Sequence, residues 1–402
     1  MAYFDAASAE PIAPAARAAL LAALDDGWAD PARLHNEGRR ASLMLDQARE
    51  RVAGVLHCRS DEVAFTSSGT NAVHLAVLGS VRARHSANRG QAHLVVSAVE
   101  HSSVLNAASM AEQGGTRVTI VGVGADGRVD VAAFTQAIGR DRTVLACLQS
   151  ANHEVGTVQP VEEVAAACKE AGVPLLVDAA ASAGREQLPS GWSLLAASGH
   201  KWGGPPGVGV MVLRKGVRWR APMPADRREG HRVSGFPNLP AIVAAVAALE
   251  AYEADRDAAD VALRQLTGQI RDRLPELVPD CVIHGDRAHS LAHIVTFSCL
   301  YIDGEALVIE LAKAGFSVSS GSACATDTQQ PSHVLAAMGA ITHGNVRVSL
   351  PRGTTQRSVT EFLDALPPIV SRLRGTAGQP ANGAVPSRTT DLAQPLLPGG
   401  DL

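Results

Sequence analysis

Leu194-Leu195-Ala196-Ala197-Ser198-Gly199-His200-Lys201-Trp202-Gly203-Gly204-Pro205-Pro206-Gly207 opens in a short apolar run and closes in glycine and proline, with one lysine between. The run has the length of a buried strand, and the glycines and prolines end it. Working outward, the same unit recurs. Apolar runs at Val63–Thr66, His93–Ser97, Arg117–Val121, Val144–Gln149, Leu175–Asp178 and Val208–Leu213 are interleaved with helical periodicities at Asn71–Gly79, Ser103–Gln113 and Val161–Ala171. This predicts an α/β fold with a large domain built on a seven-stranded, mainly parallel sheet, covered on both faces. Ligands of such sheets bind beyond the carboxyl ends of the strands.

Beyond the sheet, Asn238 to about Leu277 reads as one long Ala- and Glu-rich helix. The pattern then restarts as a smaller α/β unit: strands Ala292–Ser298, Phe316–Ser319 and Val346–Leu350, and helices Gly304–Ala314, Pro331–Met338 and Gln356–Leu373. The expected organisation is a segment 1–15 packing with the small domain, a large domain 16–250, a small C-terminal domain 251–374, and a tail 375–402. That tail is rich in Gly, Pro, Ala and Ser and lacks periodicity, so it is expected to be disordered.

Composition narrows the function. Hydrophobic residues at 46% and charged residues at 19% suit a soluble protein with a large core. A net charge of -4 with a pI near 6.4 argues against nucleic acid as the main ligand. Met1–Pro11 lacks a basic stretch leading into an apolar run, and Ala241–Leu249 is too short for a bilayer, so neither a signal peptide nor a membrane partner is expected. Six scattered cysteines without a CxxC pair fit a reduced, cytoplasmic protein. His284, His289 and His293 match no strong ligand spacing, so no metal is expected.

Four features at strand ends carry chemistry. Thr66-Ser67-Ser68-Gly69-Thr70-Asn71 is a small-residue turn into a helix, either a capped turn or an anion cradle of free N–H groups. Asp178 ends an apolar strand, as a turn former or as the partner of a cationic cofactor nitrogen. Lys201 lies past another strand among glycines; it is a surface lysine or a desolvated amine suited to a Schiff base. Together they form a set, with the lysine 23 residues after the aspartate. A phosphate cradle, an acid for a pyridinium nitrogen and a Schiff-base lysine are what pyridoxal phosphate needs. The fourth feature is Ser319-Ser320-Gly321-Ser322-Ala323-Cys324, a small polar loop presenting an exposed thiol, either inert or nucleophilic.

These segments resemble the class V aminotransferase family of fold-type I pyridoxal-phosphate transferases, and within it the cysteine desulfurases of the NifS/IscS kind. The resemblance covers roughly residues 2 to 370. It includes Tyr3-Phe4-Asp5-Ala6-Ala7, then Pro31, His35, Gly38 and Arg39; the Ser-Gly-His-Lys and Ser-Ser-Gly-Ser-Ala-Cys segments are its most specific parts. It implies the following roles. Lys201 is the Schiff-base lysine, Asp178 pairs with the ring nitrogen, and His101 stacks on the ring as a catalytic proton shuttle. Gly69, Thr70, Ser198 and His200 hold the phosphate, and Asn152 and Arg347 grip the substrate carboxylate. Cys324 takes sulfur from L-cysteine as a persulfide and passes it to an acceptor protein, with L-alanine released. Cys324 precedes Pro331 by seven positions, the spacing of family members with a long cysteine loop. The resemblance also implies a homodimer, because a second subunit completes the pocket.

Two positions depart from the family pattern. Ala181 stands where the family has a Gln for the cofactor's phenolic oxygen, and Phe236 stands where it has a Thr reaching the partner subunit's phosphate. Two other readings stay open: a related class V enzyme, such as a C–S lyase or aminotransferase, that does not use Cys324, and a cofactor-poor sulfur-relay scaffold.

Overall fold

Every residue of Val63–Thr66, His93–Ser97, Leu175–Asp178 and Leu194–Ser198 is buried, as a sheet covered on both faces requires. The computed structural model describes residues 1–86, 91–139, 143–320 and 331–376. Its strands are β1 (Ala2–Tyr3), β2 (Val63–Thr66), β3 (His93–Ser97), β4 (Arg117–Val121), β5 (Thr143–Gln149), β6 (Leu175–Asp178), β7 (Leu194–Ser198), β8 (Gly209–Leu213), β9 (Cys281–His284), β10 (Ile294–Cys299), β11 (Phe316–Ser317) and β12 (Asn345–Ser349).

Among the described residues, seven strands pair in the order β2-β8-β7-β6-β5-β3-β4. Only β8 runs antiparallel to its neighbours, and the expected α/β architecture with a mainly parallel sheet is the one found. Val177 and Leu195 face one apolar core while Leu176 and Ala196 face another, the period of two that a pleated strand imposes. Because β2, β3, β5, β6 and β7 share one direction, their carboxyl ends lie along a single edge. That edge is where the strand-end residues collect.

The second unit differs in detail from the sequence expectation. The long helix is two, Leu239–Ala254 and Arg256–Leu277, with Asp255 between them. Leu239, Ile242 and Leu249 pack into the core of the seven-stranded sheet, whereas Leu263, Ile270 and Leu274 pack into another core with Val295, Val346 and Phe362. An Ala-rich run hides this change of partner. The second sheet is antiparallel, β12-β10-β9, and includes β9, which sequence reading missed. β1 pairs in parallel with β11. Phe4 thereby reaches the second core, where its ring meets Phe362 edge-on at 5.8 Å. The last helix, Gln356–Thr376, runs past the expected start of the tail at Gly375, and residues 377–402 lie outside the described residues. Among the described residues, no helix is long and apolar enough to cross a membrane.

Candidate active site

The turn after β2 is held tightly. The Asn71 N–H donates to Ser68 Oγ at 3.0 Å, and the Thr66 hydroxyl donates to the Ser68 carbonyl at 2.8 Å. The helix Gly69–Ser86 follows, so the other first-turn N–H groups, those of Gly69 and Thr70 among them, have no intrahelical acceptor. Two glycines allow this turn to lie against the end of β7. A Cβ on Gly69 would stand 2.8 Å from Ser198 Cβ, and one on Gly209 would stand 2.2 Å from the Ser68 carbonyl carbon. Ser198 Oγ and His200 Nδ1, 3.0 Å apart, complete a small polar cradle.

Lys201 follows on a single 3-10 turn, Gly199–Trp202, at the end of β7. Its Nζ donates to the Ala7 carbonyl. The Lys201 carbonyl accepts from Arg185 Nη2 at 3.1 Å, and that same nitrogen bonds Glu10 Oε2 at 2.7 Å. Asp178 ends β6 with Oδ1 accepting from the Ala180 N–H at 2.9 Å. Burial pushes its carboxyl up to about 6, against the pull of that hydrogen bond and of nearby Lys201. A nearly buried carboxylate so poorly neutralised is suited to a cationic nitrogen.

His101 caps the helix Ser102–Gln113. The Ser103 N–H donates to Nδ1 at 3.1 Å, which places the ring proton on Nε2. Burial, then Lys201, hold its pKa down to about 4, so the ring is neutral. His153 meets it edge-on, with centroids 5.0 Å apart.

Asn152 and Arg347 are buried, and each already has work. Asn152 Oδ1 accepts from the Glu154 and Val155 N–H groups at 2.8 and 2.9 Å, and Nδ2 donates to the Val99 carbonyl at 3.1 Å, so one Nδ2 hydrogen is left. Arg347, on β12, donates to the His153 carbonyl at 2.9 Å, Asp5 Oδ1 at 2.8 Å and Ser8 Oγ at 2.6 Å. Its buried Nε has no hydrogen-bond partner. Cys324 lies outside the described residues.

The donor set fits pyridoxal phosphate: a glycine-lined cradle of N–H and hydroxyl groups, a desolvated carboxylate, an amine and a neutral imidazole converge on one sheet edge. Residues 2–362 match the Aminotransferase class-V family. A cysteine desulfurase of Nostoc sp. (strain PCC 7120) is 34% identical over 382 residues, covering 92% of this chain and 93% of that protein. The chain belongs to the cysteine desulfurases of the class V aminotransferase family. Among solved structures, a NifS-like protein superposes with a TM-score of 0.85 at 27% identity, covering 92% of this chain and 100% of the other. SspA in complex with cysteine superposes with a TM-score of 0.76 at 26% identity, covering 88% of this chain and 100% of that one.

Within this family of pyridoxal-phosphate enzymes, the two departures have distinct surroundings. Ala181 is half-buried and packs against a small apolar cluster of Ala7, Ala151, Leu291 and Ile294. Phe236 is 57% exposed, and it borders a cleft of about 300 Å³ that also touches Ser67 and Asn71 of the cradle. The Arg228 guanidinium sits 5.8 Å over its ring. Sequence reading missed Asp5 and Ser8 on Arg347, His153 on His101, and Glu100. Fully buried Glu100 accepts from the Gln149 N–H at 2.8 Å through Oε1, while Oε2 has no hydrogen-bond partner. Burial pushes its carboxyl up to about 8. His153 and Glu100 each adjoin a residue singled out by sequence, which was the available signal. His284 is absorbed by a 2.7 Å hydrogen bond to Ser298, and His289 by one of 2.9 Å to Asp286.

Proposed function

We infer that this chain is a pyridoxal-phosphate-dependent cysteine desulfurase that converts L-cysteine to L-alanine and carries the sulfur on Cys324. The convergence of Lys201, Asp178, His101 and the Gly69 cradle at one sheet edge carries the reading, and membership of the desulfurases selects the reaction. SspA, 26% identical and solved in complex with cysteine, supports the substrate.

Pyridoxal phosphate, when bound, supplies an electron sink for the substrate's α-carbon. Gly69 and Thr70 N–H groups, with Ser198 and His200, would hold its phosphate, and Asp178 its cationic nitrogen. Lys201 Nζ would hold the cofactor at rest and carry the α-proton during turnover. His101, neutral with its proton on Nε2, would donate a hydrogen bond from that nitrogen, and would pass a proton on only as it takes another up. Arg347 would turn its unused Nε, and Asn152 its remaining Nδ2 hydrogen, to the substrate carboxylate, with Asp5 fixing the guanidinium plane. The Cys324 thiolate would form an S–S bond to the substrate sulfur as the C–S bond breaks, and the persulfide would pass to an acceptor protein in the cytoplasm. A homodimer whose second subunit completes the pocket is what the family implies, and the exposed Phe236, beside the cleft that touches Ser67 and Asn71, supports it.

The test is alanine and sulfide formation from L-cysteine by the holoenzyme and by Cys324→Ala. Alanine that collapses in the variant is the expected result. Persisting alanine would reassign the chain as a C–S lyase, and no turnover with no bound chromophore would leave a sulfur-relay scaffold.

A further inference from the structure

Two cysteines that this chemistry does not use face one another on the small antiparallel sheet. Cys281 on β9 is the register partner of Cys299 on β10. The Leu300 N–H donates to the Asp280 carbonyl at 3.0 Å, so the adjacent pair, Cys281 with Cys299, is a non-hydrogen-bonded one. The Cys299 N–H agrees, turning away to the Gly344 carbonyl at 2.9 Å. Opposed Cα atoms in such pairs stand ~4.5 Å apart, inside the ~4.4–6.8 Å that a disulfide spans. The two sulfurs are 3.9 Å apart and share a hydrogen bond, so side-chain rotation suffices to bring them into bonding range.

The surroundings favour exchange chemistry. β9 is the edge strand, Cys281 is half-buried, and Cys299 is buried behind it. Arg374 donates to the Leu300 carbonyl at 3.1 Å and to the Pro279 carbonyl at 2.7 Å, which fixes its guanidinium beside both thiols. The hydrogen bond with Cys281, and then Arg374, hold the Cys299 thiol below its ordinary value against burial. By contrast, burial raises the thiols of Cys58, Cys147 and Cys168, while the shared hydrogen bond and then burial raise that of Cys281, so the more accessible Cys281 must give up its proton as it attacks.

We propose that Cys281 and Cys299 are a sulfane-sulfur-reactive dithiol, which reduces persulfides or polysulfides to sulfide and becomes a Cys281–Cys299 disulfide. Cys281 Sγ attacks the outer sulfur of R–S–SH, that S–S bond breaks, and R–S⁻ leaves with the proton Cys281 gives up. Cys299 Sγ then attacks Cys281 Sγ, a Cys281–Cys299 bond forms, and HS⁻ leaves with the proton of Cys299. The two thiols lose two electrons and the sulfane sulfur gains them. A disulfide at the short end of the Cα range on an edge strand is readily reduced again, so the site can cycle. The inference rests on the desulfurase reading only for the local source of sulfane sulfur.

The experiment uses the full chain carrying Cys324→Ser, reduced, and treated with inorganic polysulfide. Alkylation and non-reducing peptide mapping follow. The expected result is loss of two alkylatable thiols per chain, a cross-linked peptide joining positions 281 and 299, and sulfide release that falls at least tenfold in Cys281→Ser and in Cys299→Ser. Full alkylation of both cysteines after treatment would overturn the proposal, as would persulfides that persist there without a cross-link. Alanine formation by the wild-type protein is read separately. If it fails while the cross-link forms, the desulfurase reading falls and the dithiol stands.

Discussion

Asp178→Asn should make the cofactor-free protein more stable and the enzyme worse. Asparagine keeps the shape and still accepts the Ala180 N–H through Oδ1, but it removes a buried charge. Burial raises the Asp178 carboxyl from 3.8 to about 6. Between those values the folded chain holds a proton that the unfolded chain has released, so stability falls as pH rises through that window. At ~1.4 kcal/mol per pH unit, the ionised carboxylate costs the cofactor-free fold about 3 kcal/mol above pH 6. The variant should therefore gain up to about 3 kcal/mol at pH 8, and the gain should fade as pH is lowered toward about 4. Loss of a hydrogen bond to a charged group costs about 1.5–3 kcal/mol in cofactor binding, or roughly 10–150-fold in Kd. Denaturant melts of the cofactor-free proteins across pH, with cofactor titration of each, read both effects. A variant no more stable than wild type at pH 8, or a gain that does not depend on pH, would refute the claim that Asp178 is held charged and under-neutralised for a ligand.

His101→Gln should lower kcat roughly 10²–10⁴-fold. Because the wild-type ring is held down to about 4, no inflection near pH 6.5 in the kcat profile should belong to it, which a comparison of the two profiles checks. Arg347→Ala should raise KM for L-cysteine roughly 10–150-fold, since a charged contact is lost, with a smaller change in kcat; steady-state kinetics separate the two. Glu10→Ala leaves Arg185 buried without its 2.7 Å partner and should destabilise the fold by about 3–5 kcal/mol, measured by melting. Arg185 also holds the Lys201 carbonyl, so activity should fall in Glu10→Ala even at temperatures where the chain stays folded.

The seven-stranded sheet was legible because all its strands but the edge strand β4 are buried along most or all of their length, so their apolar runs stand out against polar turns. The strand ends were legible for the same reason: once a run stops at Asp178 or before Lys201, the edge of the sheet is located. β9 escaped because an edge strand of four residues, Cys281–His284, has mixed burial and no such run. β1 escaped because two residues make a strand only when Phe316–Ser317 is beside them. In the site, residue types that act where they stand in the chain could be found. Asp5 could not, because its meaning depends on Arg347, 342 positions away. The family's glutamine and threonine positions, by contrast, were visible as departures at Ala181 and Phe236 only once the surrounding motifs had been aligned.

Residues 2–10 also impose an order on synthesis. Their partners are the Phe316–Ser317 strand, Arg347, Ser349 and Arg352, together with Lys201 and Arg185. At ~5–20 residues per second, these first residues wait roughly 20–70 s on the ribosome for the strand that carries Arg347. The seven-stranded sheet can form in that interval, but the substrate end of the site cannot. A stalled or shortened chain ending before Arg347 would keep Lys201 but lack the guanidinium proposed above to grip a substrate's carboxylate, and should therefore be inactive.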